Sequence, residues 1–460
     1  MKHKTLPIVL TLALTCVAAA PAGQLTTETL GPGLQHLVIC RGDTATATSY
    51  RILFGVFSRP SEADQMLESL REIGVAALPT SDGIDYRIVT PSLPHRVQVE
   101  DMRSRLIDQG FSSHIEVQEI RQDLTHPEGP WKIHVLEADP RRIDVQVAHA
   151  YDAAIGLETT AALAVRRGGA LAAVNGGYFQ MEGLLAGDSL GALEIDDRLL
   201  SEPDRGRASV GFFVQDGTTR SVFGRLAFHG WMQPAEGDVI QLQGINRSRG
   251  PSEIVLFTPD FHRTTLTPPG GAEIVISYSR IAAIREGLGS SLIPPDGMVL
   301  SIGAERSAEI LPGLHAGDTV YVQTRLVPLL SDPEDEWDRA RYVVSGGPLL
   351  LWKGQRLEEP EKESISRVFY LARHPRTAVG VRADGTLLFV TVDGRRPEES
   401  VGMSLPELTD LMLELGAVSA INLDGGGSTT MVIDGTVVNH PSGDSPRRNA
   451  DAILLYLRKP

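Results

Sequence analysis

Apolar and polar residues alternate with the two-residue period of strands along most of this chain, and with the longer helical period in only a few stretches. From Trp131 to Leu457 the pattern predicts strands and turns with few helices. "WKIHVLEA" and "IDVQVAHA" alternate on either side of an Asp-Pro turn. Residues 50–119 read differently. "YRILFGVFS" predicts a strand, and "PSEADQMLESLREIG" a helix with Ser58 as its cap and Gly74 as its stop. A short strand at "VAAL", a strand at "DYRIVT", a helix at "HRVQVEDMRSRLIDQGF" ended by Gly110, and a strand at "SSHIEVQEI" follow. This order is a split βαβ plan and an internal near-repeat. "LGPGLQHLVICRGD" predicts a strand that would be orphaned if the small domain stood first. Residues 30–43 are therefore expected to belong to the large domain, with the small domain (48–120) inserted after them at an exposed turn. The expected fold class is α+β: a β-rich mixed α/β domain over 129–460, plus a small βαββαβ domain of ferredoxin-like plan.

Two stretches of the large domain share a design. "TTAALAVRRGGALAAVNGGYF" is a helix, a glycine, an apolar strand and then Gly176-Gly177. "SLPELTDLMLELGAVSAINLDGGGSTT" is a helix, Gly416, an apolar strand, then Asp424 and Gly425, Gly426 and Gly427. Ser404 and Glu407 have the spacing of a capping box. Both strands are apolar enough to be buried on both faces, and both end near an asparagine, Asn175 or Asn422. "RYVVSGGPLLL" supplies a third strand running into Ser345, Gly346 and Gly347. A glycine inside ordered structure costs roughly 0.5–1 kcal/mol relative to alanine, so three such turns call for a reason. Glycine turns let several N–H groups point outward together and form an anion-binding concavity, which Ser428 and Thr429 would extend with hydroxyls. One such turn alone reads as a structural turn. The lysine of a phosphate-binding P-loop is missing, and a strand follows where a dinucleotide fingerprint would have a helix. Charged residues stand at neighbouring strand ends: Arg376 and Thr377 in "RHPRTAVGV", Asp393 in "VTVDGRRP", and Arg447 in "SPRRNADAILLY".

Composition narrows this picture. The chain has 460 residues, enough for two or three domains, and a net charge of −15 that weighs against a nucleic-acid partner. Hydrophobic residues at 42% and charged residues at 22% are those of a globular protein. "MKHKTLPIVLTLALTCVAAAPAG" has a basic start, a short apolar run and small residues, the pattern of a secretory signal peptide over residues 1–22. Export to the periplasm, the envelope or the medium is expected, and no later apolar run has the length of a membrane span. A lipid anchor at Cys16 is the alternative, which Thr15 fits poorly. Without the leader only Cys40 remains, so no internal disulfide can form.

"YRILFGVFSRPSEADQMLESLREIG" resembles a SPOR domain, a small envelope module that binds peptidoglycan, whereas "VTPSLP" departs from that family's second half. The resemblance implies peptidoglycan as a partner; a spacer of the same fold is the alternative. "AAVNGGYF", "INRSRGPSEIVLFTPDF", "IPPDGMVLSIG", "VVSGGPLLL", "HPRTAVGV", "VTVDGR", "INLDGGGSTTMV" and "NHPSGDSPRRNADAI" resemble, in order, the phosphodiester glycosidases. Their disulfides and their mannose 6-phosphate context do not carry over. The resemblance implies an exported hydrolase of sugar-1-phosphodiesters, with a glycan or sugar-phosphate substrate. It implies binding roles for Asn175, Gly176, Gly177, Phe179, Ser345, Gly346, Gly347, Thr377, Gly425 to Gly427, Ser428, Thr429 and Arg447. The chemistry asks for guanidinium groups on the phosphate, assigned to Arg376 and then Arg447. It also asks for a carboxylate near the developing oxocarbenium, assigned to Asp424 and Asp393. The alternatives are a calcium or magnesium ion held by Asp393 and Asp424 in a metal-assisted phosphodiesterase, and a non-catalytic peptidoglycan-binding protein. The histidine spacing does not suit zinc.

Overall fold

The computed structural model describes residues 24–42, 49–81, 85–93, 95–111, 116–120, 129–152, 155–330 and 334–459. The expected leader and Cys16 lie outside them. Strand makes up 45% of the structure and helix 17%, so the chain is a β-rich mixed α+β protein.

An eight-stranded antiparallel sheet is the largest element. Its order is Gln24–Gly31, Leu34–Arg41, Trp131–Ala138, Leu387–Val392, Arg376–Arg382, Ala417–Asn422, Leu349–Trp352 and Gln355–Arg356. The stretch read as one strand ahead of the small domain is a hairpin of two. The chain reverses at Pro32-Gly33, where Gly33 takes a φ of +85° that suits glycine. Its second strand pairs along its whole length with Trp131–Ala138.

A five-stranded sheet contains Ala172–Asn175 flanked by Met431–Ile433 and Asp451–Leu457, with Ile143–His149 at its far edge. Trp131–Ala138 and Ile143–His149, read as neighbours around an Asp-Pro turn, enter different sheets. Leu136, Ala138, Ile143 and Val145 pack in one core cluster, so the turn carries the chain from one layer to the facing one. A seven-stranded sheet, with Ala208–Gln215 and Tyr342–Ser345 near its centre, closes the third side of that core. Phe212 and Phe389 meet across the layers with ring centroids 6.5 Å apart. The other face of the eight-stranded sheet is covered by the helix Leu405–Glu414, whose Leu405, Leu408, Leu411 and Met412 are buried at helical spacing. Ser404 and Glu407 form both bonds of the capping box at its start.

Residues 49–120 form a four-stranded antiparallel sheet, in the order Leu78–Ser81, Tyr86–Val89, Ser49–Phe57 and Glu116–Ile120. Two helices, Pro60–Glu72 and Arg96–Asp108, pack on it. Ser58 does not cap the first helix. Arg59 occupies the cap position, Pro60 starts the helix, and the Ser58 hydroxyl instead donates to Asp85 at 2.9 Å. The unit is docked on the short helix Arg367–Leu371. Val368 is wholly buried in its core, and the Val368 N–H donates to Asp64 at 2.9 Å.

Phe389 is fully buried at the centre of the layered core. Phe389→Ala is expected to lower unfolding free energy by about 3–5 kcal/mol, read from urea denaturation. A loss below about 1 kcal/mol would mean that the facing sheets do not share one core.

Candidate active site

Three strands from three different sheets end side by side: Ala172–Asn175, Tyr342–Ser345 and Ala417–Asn422. Each runs into one of the glycine turns. Two asparagine side chains stitch the turns together. Asn175 Nδ2 donates to the Asp424 carbonyl at 2.8 Å, and Asn175 Oδ1 accepts from the Thr377 hydroxyl at 2.7 Å and the Thr430 N–H at 3.1 Å. Asn422 Nδ2 donates to the Gly347 carbonyl at 2.8 Å and to the Tyr178 hydroxyl at 3.0 Å. Backbone bonds finish the junction: Gly347 N–H to Asn422 carbonyl at 2.7 Å, and Asp424 N–H to Gly176 carbonyl at 3.1 Å.

The closeness of these strand ends explains the glycines. A Cβ on Gly176 would stand 1.7 Å from Asp451 Oδ1, and one on Gly346 2.1 Å from the Asn422 carbonyl oxygen. One on Gly427 would meet the Arg447 guanidinium at 2.4 Å. Gly426 also has a φ of +58°, which turns the chain beneath Arg395.

Asp424 sits at the mouth of this junction. The Gly425 N–H donates to its carboxyl at 2.9 Å, and Ser428 hydrogen-bonds it as well. Removal from water is the largest influence and pushes its pKa up to about 6, against the hydrogen bonds and the charges of Arg447 and Arg395. A second carboxyl, Asp451, lies on the opposite side of Gly176-Gly177. It is buried, accepts the Gly177 N–H at 2.8 Å, and is likewise pushed to about 6, chiefly by burial and then by the charge of Asp424. Two neighbouring carboxyls that titrate near neutrality, one of them raised by the charge of the other, are a feature of acid–base sites.

Asp393 stands one step further back. Its Oδ1 accepts from Asn439 Nδ2 at 3.2 Å, and both oxygens accept the His440 N–H at 3.0 and 3.1 Å. Asn439 in turn donates to the Thr429 carbonyl at 3.1 Å. Burial raises the Asp393 pKa. Arg376 is also internal. It is fully buried, and its Nε and Nη2 donate to the carbonyls of Met403 at 2.8 Å, Ala372 at 2.8 Å and Phe369 at 3.2 Å. Burial lowers its pKa to about 10.

Arg447 is exposed at the glycine turn, with Nη1 3.4 Å from the Ser428 hydroxyl. Thr377 and Ser345 are buried, the latter bonded to the Ser209 hydroxyl at 2.7 Å. Phe179 is turned inward and buried, while its neighbour Tyr178 reaches the junction and donates to the Gly347 carbonyl at 2.9 Å. Sequence reasoning named Phe179 and passed over Tyr178, Asp451 and Arg395. The signal for Asp451 was present, since it opens an apolar strand as Asp393 and Asp424 close theirs.

Among the described residues, Arg376 Nη1, Asn422 Oδ1, Thr429 Oγ1 and His374 Nε2 are buried polar atoms without a hydrogen-bond partner. Asp424 is surrounded by the Ser428 and Gly425 donors and the Arg447 and Arg395 cations, with the Asp451 carboxyl also within reach of its charge. Among the described residues no group of three or more His, Cys, Asp or Glu is placed to hold a metal ion.

Residues 270–456 match the family model for phosphodiester glycosidases, a span that holds Ser345 to Gly347, Arg376, Asp393, Asp424 to Thr430, Arg447 and Asp451. The match covers under half of the chain. The N-acetylglucosamine-1-phosphodiester alpha-N-acetylglucosaminidase of Bos taurus is 35% identical over 124 residues, 25% of this chain and 23% of the relative. An uncharacterized prophage-derived protein of Bacillus subtilis (strain 168) is 39% identical over 83 residues, 18% of this chain and 13% of the relative. The matches thus span less than a quarter of either curated relative. A solved structure described as an exported protein of Burkholderia pseudomallei K96243 aligns over 95% of this chain and 96% of its own, with 25% identity and a TM-score of 0.70.

The raised carboxyl Asp451 has a consequence for stability. In the folded chain it holds its proton up to about pH 6, whereas the ordinary value is 3.8. Between these values the folded state binds more protons than the unfolded state, so stability falls as pH rises from about 4 to 6.5. Asp451→Asn, which keeps an acceptor for the Gly177 N–H, is expected to flatten this fall in urea titrations at pH 4.5 and 7. An unchanged slope would show that Asp451 is not a buried, titrating acid.

Proposed function

We propose that this protein is a hydrolase of sugar-1-phosphodiesters, cutting between the anomeric carbon and the phosphate oxygen, with an N-acetylglucosamine-type sugar preferred. The observation that carries this reading is the Asp424 carboxyl at a junction of three glycine turns, flanked by the guanidinium groups of Arg447 and Arg395. The family match over residues 270–456 supports the same chemistry. The leaving group is a phosphate monoester, a weak base that needs its charge held more than it needs a proton. Arg447 and Arg395 are placed to hold it; the expected outward N–H groups of the glycine turns are not among the donors, because Gly176, Gly177, Gly346, Gly347, Gly425 and Gly426 give theirs to acceptors inside the protein. Asp424 faces the positive charge that develops on the sugar, as nucleophile or as base for water. Asp451 is the second carboxyl of the pair. Arg376 and Asp393 act as positioning residues, one holding the backbone before the strand Arg376–Arg382, the other holding the Asn439 loop against Thr429.

This reading extends to the chain as a whole. Residues 30–43 and 129–460 form the hydrolase unit, and residues 48–120 are an insertion in it. The leader sends the protein to the envelope or the medium, where glycans joined through phosphate are the substrates. Among the described residues no helix is long and apolar enough to cross a membrane, which leaves β-barrel spans unaddressed.

The test is release of free sugar from an N-acetylglucosamine-1-phosphodiester. Asp424→Asn is expected to lower turnover by about 10²-fold or more, and Arg447→Ala by at least about 10-fold, with unchanged unfolding curves. Near-normal turnover in Asp424→Asn would remove the assignment. In ¹⁸O-water the label is expected in the sugar; label in the phosphate would make the protein a phosphodiesterase instead. The pH profile of kcat/KM is expected to fall on the acid side with an apparent pKa near 6, a value belonging to the Asp424 and Asp451 pair. A profile flat down to pH 4.5 would exclude an ionised Asp424 as the working group.

A further inference from the structure

A second recess adjoins the candidate site and is not needed to break one phosphodiester. It is a cleft of about 330 Å³ between the edge strand Leu78–Ser81 of the small domain and residues 371–373 and 395–407 of the large domain. Five arginines line it: Arg51 and Arg87 from the small domain, and Arg373, Arg395 and Arg396 from the large one. Among the described residues Glu407 is the one carboxylate in the lining, and it is engaged by Arg373. Both its oxygens accept from Arg373 Nε at 3.0 Å, and one accepts the Ser404 N–H at 2.8 Å. The chain as a whole carries a net charge of −15, so this concentration of guanidinium groups runs against the average field. Arginine's planar fork is the protein group best matched to phosphate oxygens. Leu78 and Val401 add apolar wall of the kind that sugar faces pack on.

Arg395 belongs to both places. It lines the cleft, and its Nη2 would be 3.0 Å from a Cβ on Gly426 in the glycine turn. Its charge acts directly on the Asp424 carboxyl. A substrate with its scissile bond over Asp424 can therefore continue past Arg395 between the two domains.

We propose that this cleft binds the continuation of an anionic glycan that carries further phosphate groups beyond the bond cut at Asp424, the small domain supplying one wall. The inference rests on the proposed reaction at Asp424. It assigns the small domain a role in choosing polymeric, multiply phosphorylated substrates over single phosphodiesters.

The experiment uses the full chain and short-chain inorganic polyphosphate as the probe, followed by calorimetry at several salt concentrations. Polygalacturonate, which carries carboxylates only, is run beside it. Wild type is expected to bind polyphosphate in preference to polygalacturonate. Arg87→Ala and Arg396→Ala are each expected to weaken that binding about 10-fold, equivalent to about 1.4 kcal/mol, and to reduce its salt dependence. Turnover of a single N-acetylglucosamine-1-phosphodiester is expected to change less than about twofold in both variants. Arg396 is half-buried and lies in the large domain, so its variant tests the cleft independently of the folding of Arg87→Ala. Unchanged polyphosphate affinity in Arg396→Ala, or equal binding of polygalacturonate, overturns the cleft while leaving hydrolysis at Asp424 standing. Polyphosphate binding that responds to both variants, in a protein that hydrolyses no phosphodiester, overturns the reading of Asp424 and with it the substrate role of the cleft.

Discussion

Two buried amide side chains, Asn175 and Asn422, hold the candidate site together. Each closes a strand of a different sheet, and each spends its hydrogen bonds on backbone or side-chain groups that belong to the other turns. Asn175 both donates and accepts there, while Asn422 acts through its Nδ2 alone. A buried donor or acceptor left without a partner costs about 1–3 kcal/mol, so these bonds tie the strand ends to one another strongly. The three sheets can slide or rotate little at this point without breaking them.

That closeness sets the electrostatics. Strand ends packed this tightly leave no room for Cβ atoms at Gly176 and Gly346. Desolvation raises both Asp424 and Asp451, which then titrate where acid–base chemistry is useful. The cations divide by depth. Arg376 is internal and bound to carbonyls, so it braces the backbone, while Arg395 and Arg447 stand where an incoming anion would meet them. Residues 49–120 place Arg51 and Arg87 in the lining of the cleft that Arg395 also lines.

Much of this was legible in the residues. The capping box at Ser404 and Glu407 is a local device, as is the helix–glycine–strand plan before each glycine turn, and local devices read well from sequence. Reading failed where the answer depended on a partner far along the chain. Phe179 and Tyr178 are adjacent and both aromatic, and only the fold shows that it is Tyr178 that reaches Gly347 and Asn422. Arg376 looks like a phosphate ligand in sequence. In the fold it is ringed by the carbonyls of residues 369, 372 and 403, and no spacing rule places those around it. Asp451 was hidden for the same reason: its partner is the N–H of Gly177, 274 positions away.

The sequence by itself determined the balance of strand over helix, the order of elements in the small domain, and the set of glycine turns with an aspartate and arginines nearby. These follow from residue period and backbone freedom, which act over a few residues. Only the tertiary structure decided that the turns converge, that Asp424 is paired with Asp451 and not with Asp393, and which arginines face the opening. The physical reason is that desolvation and charge coupling depend on distances in space, and those are set by which strands share a sheet.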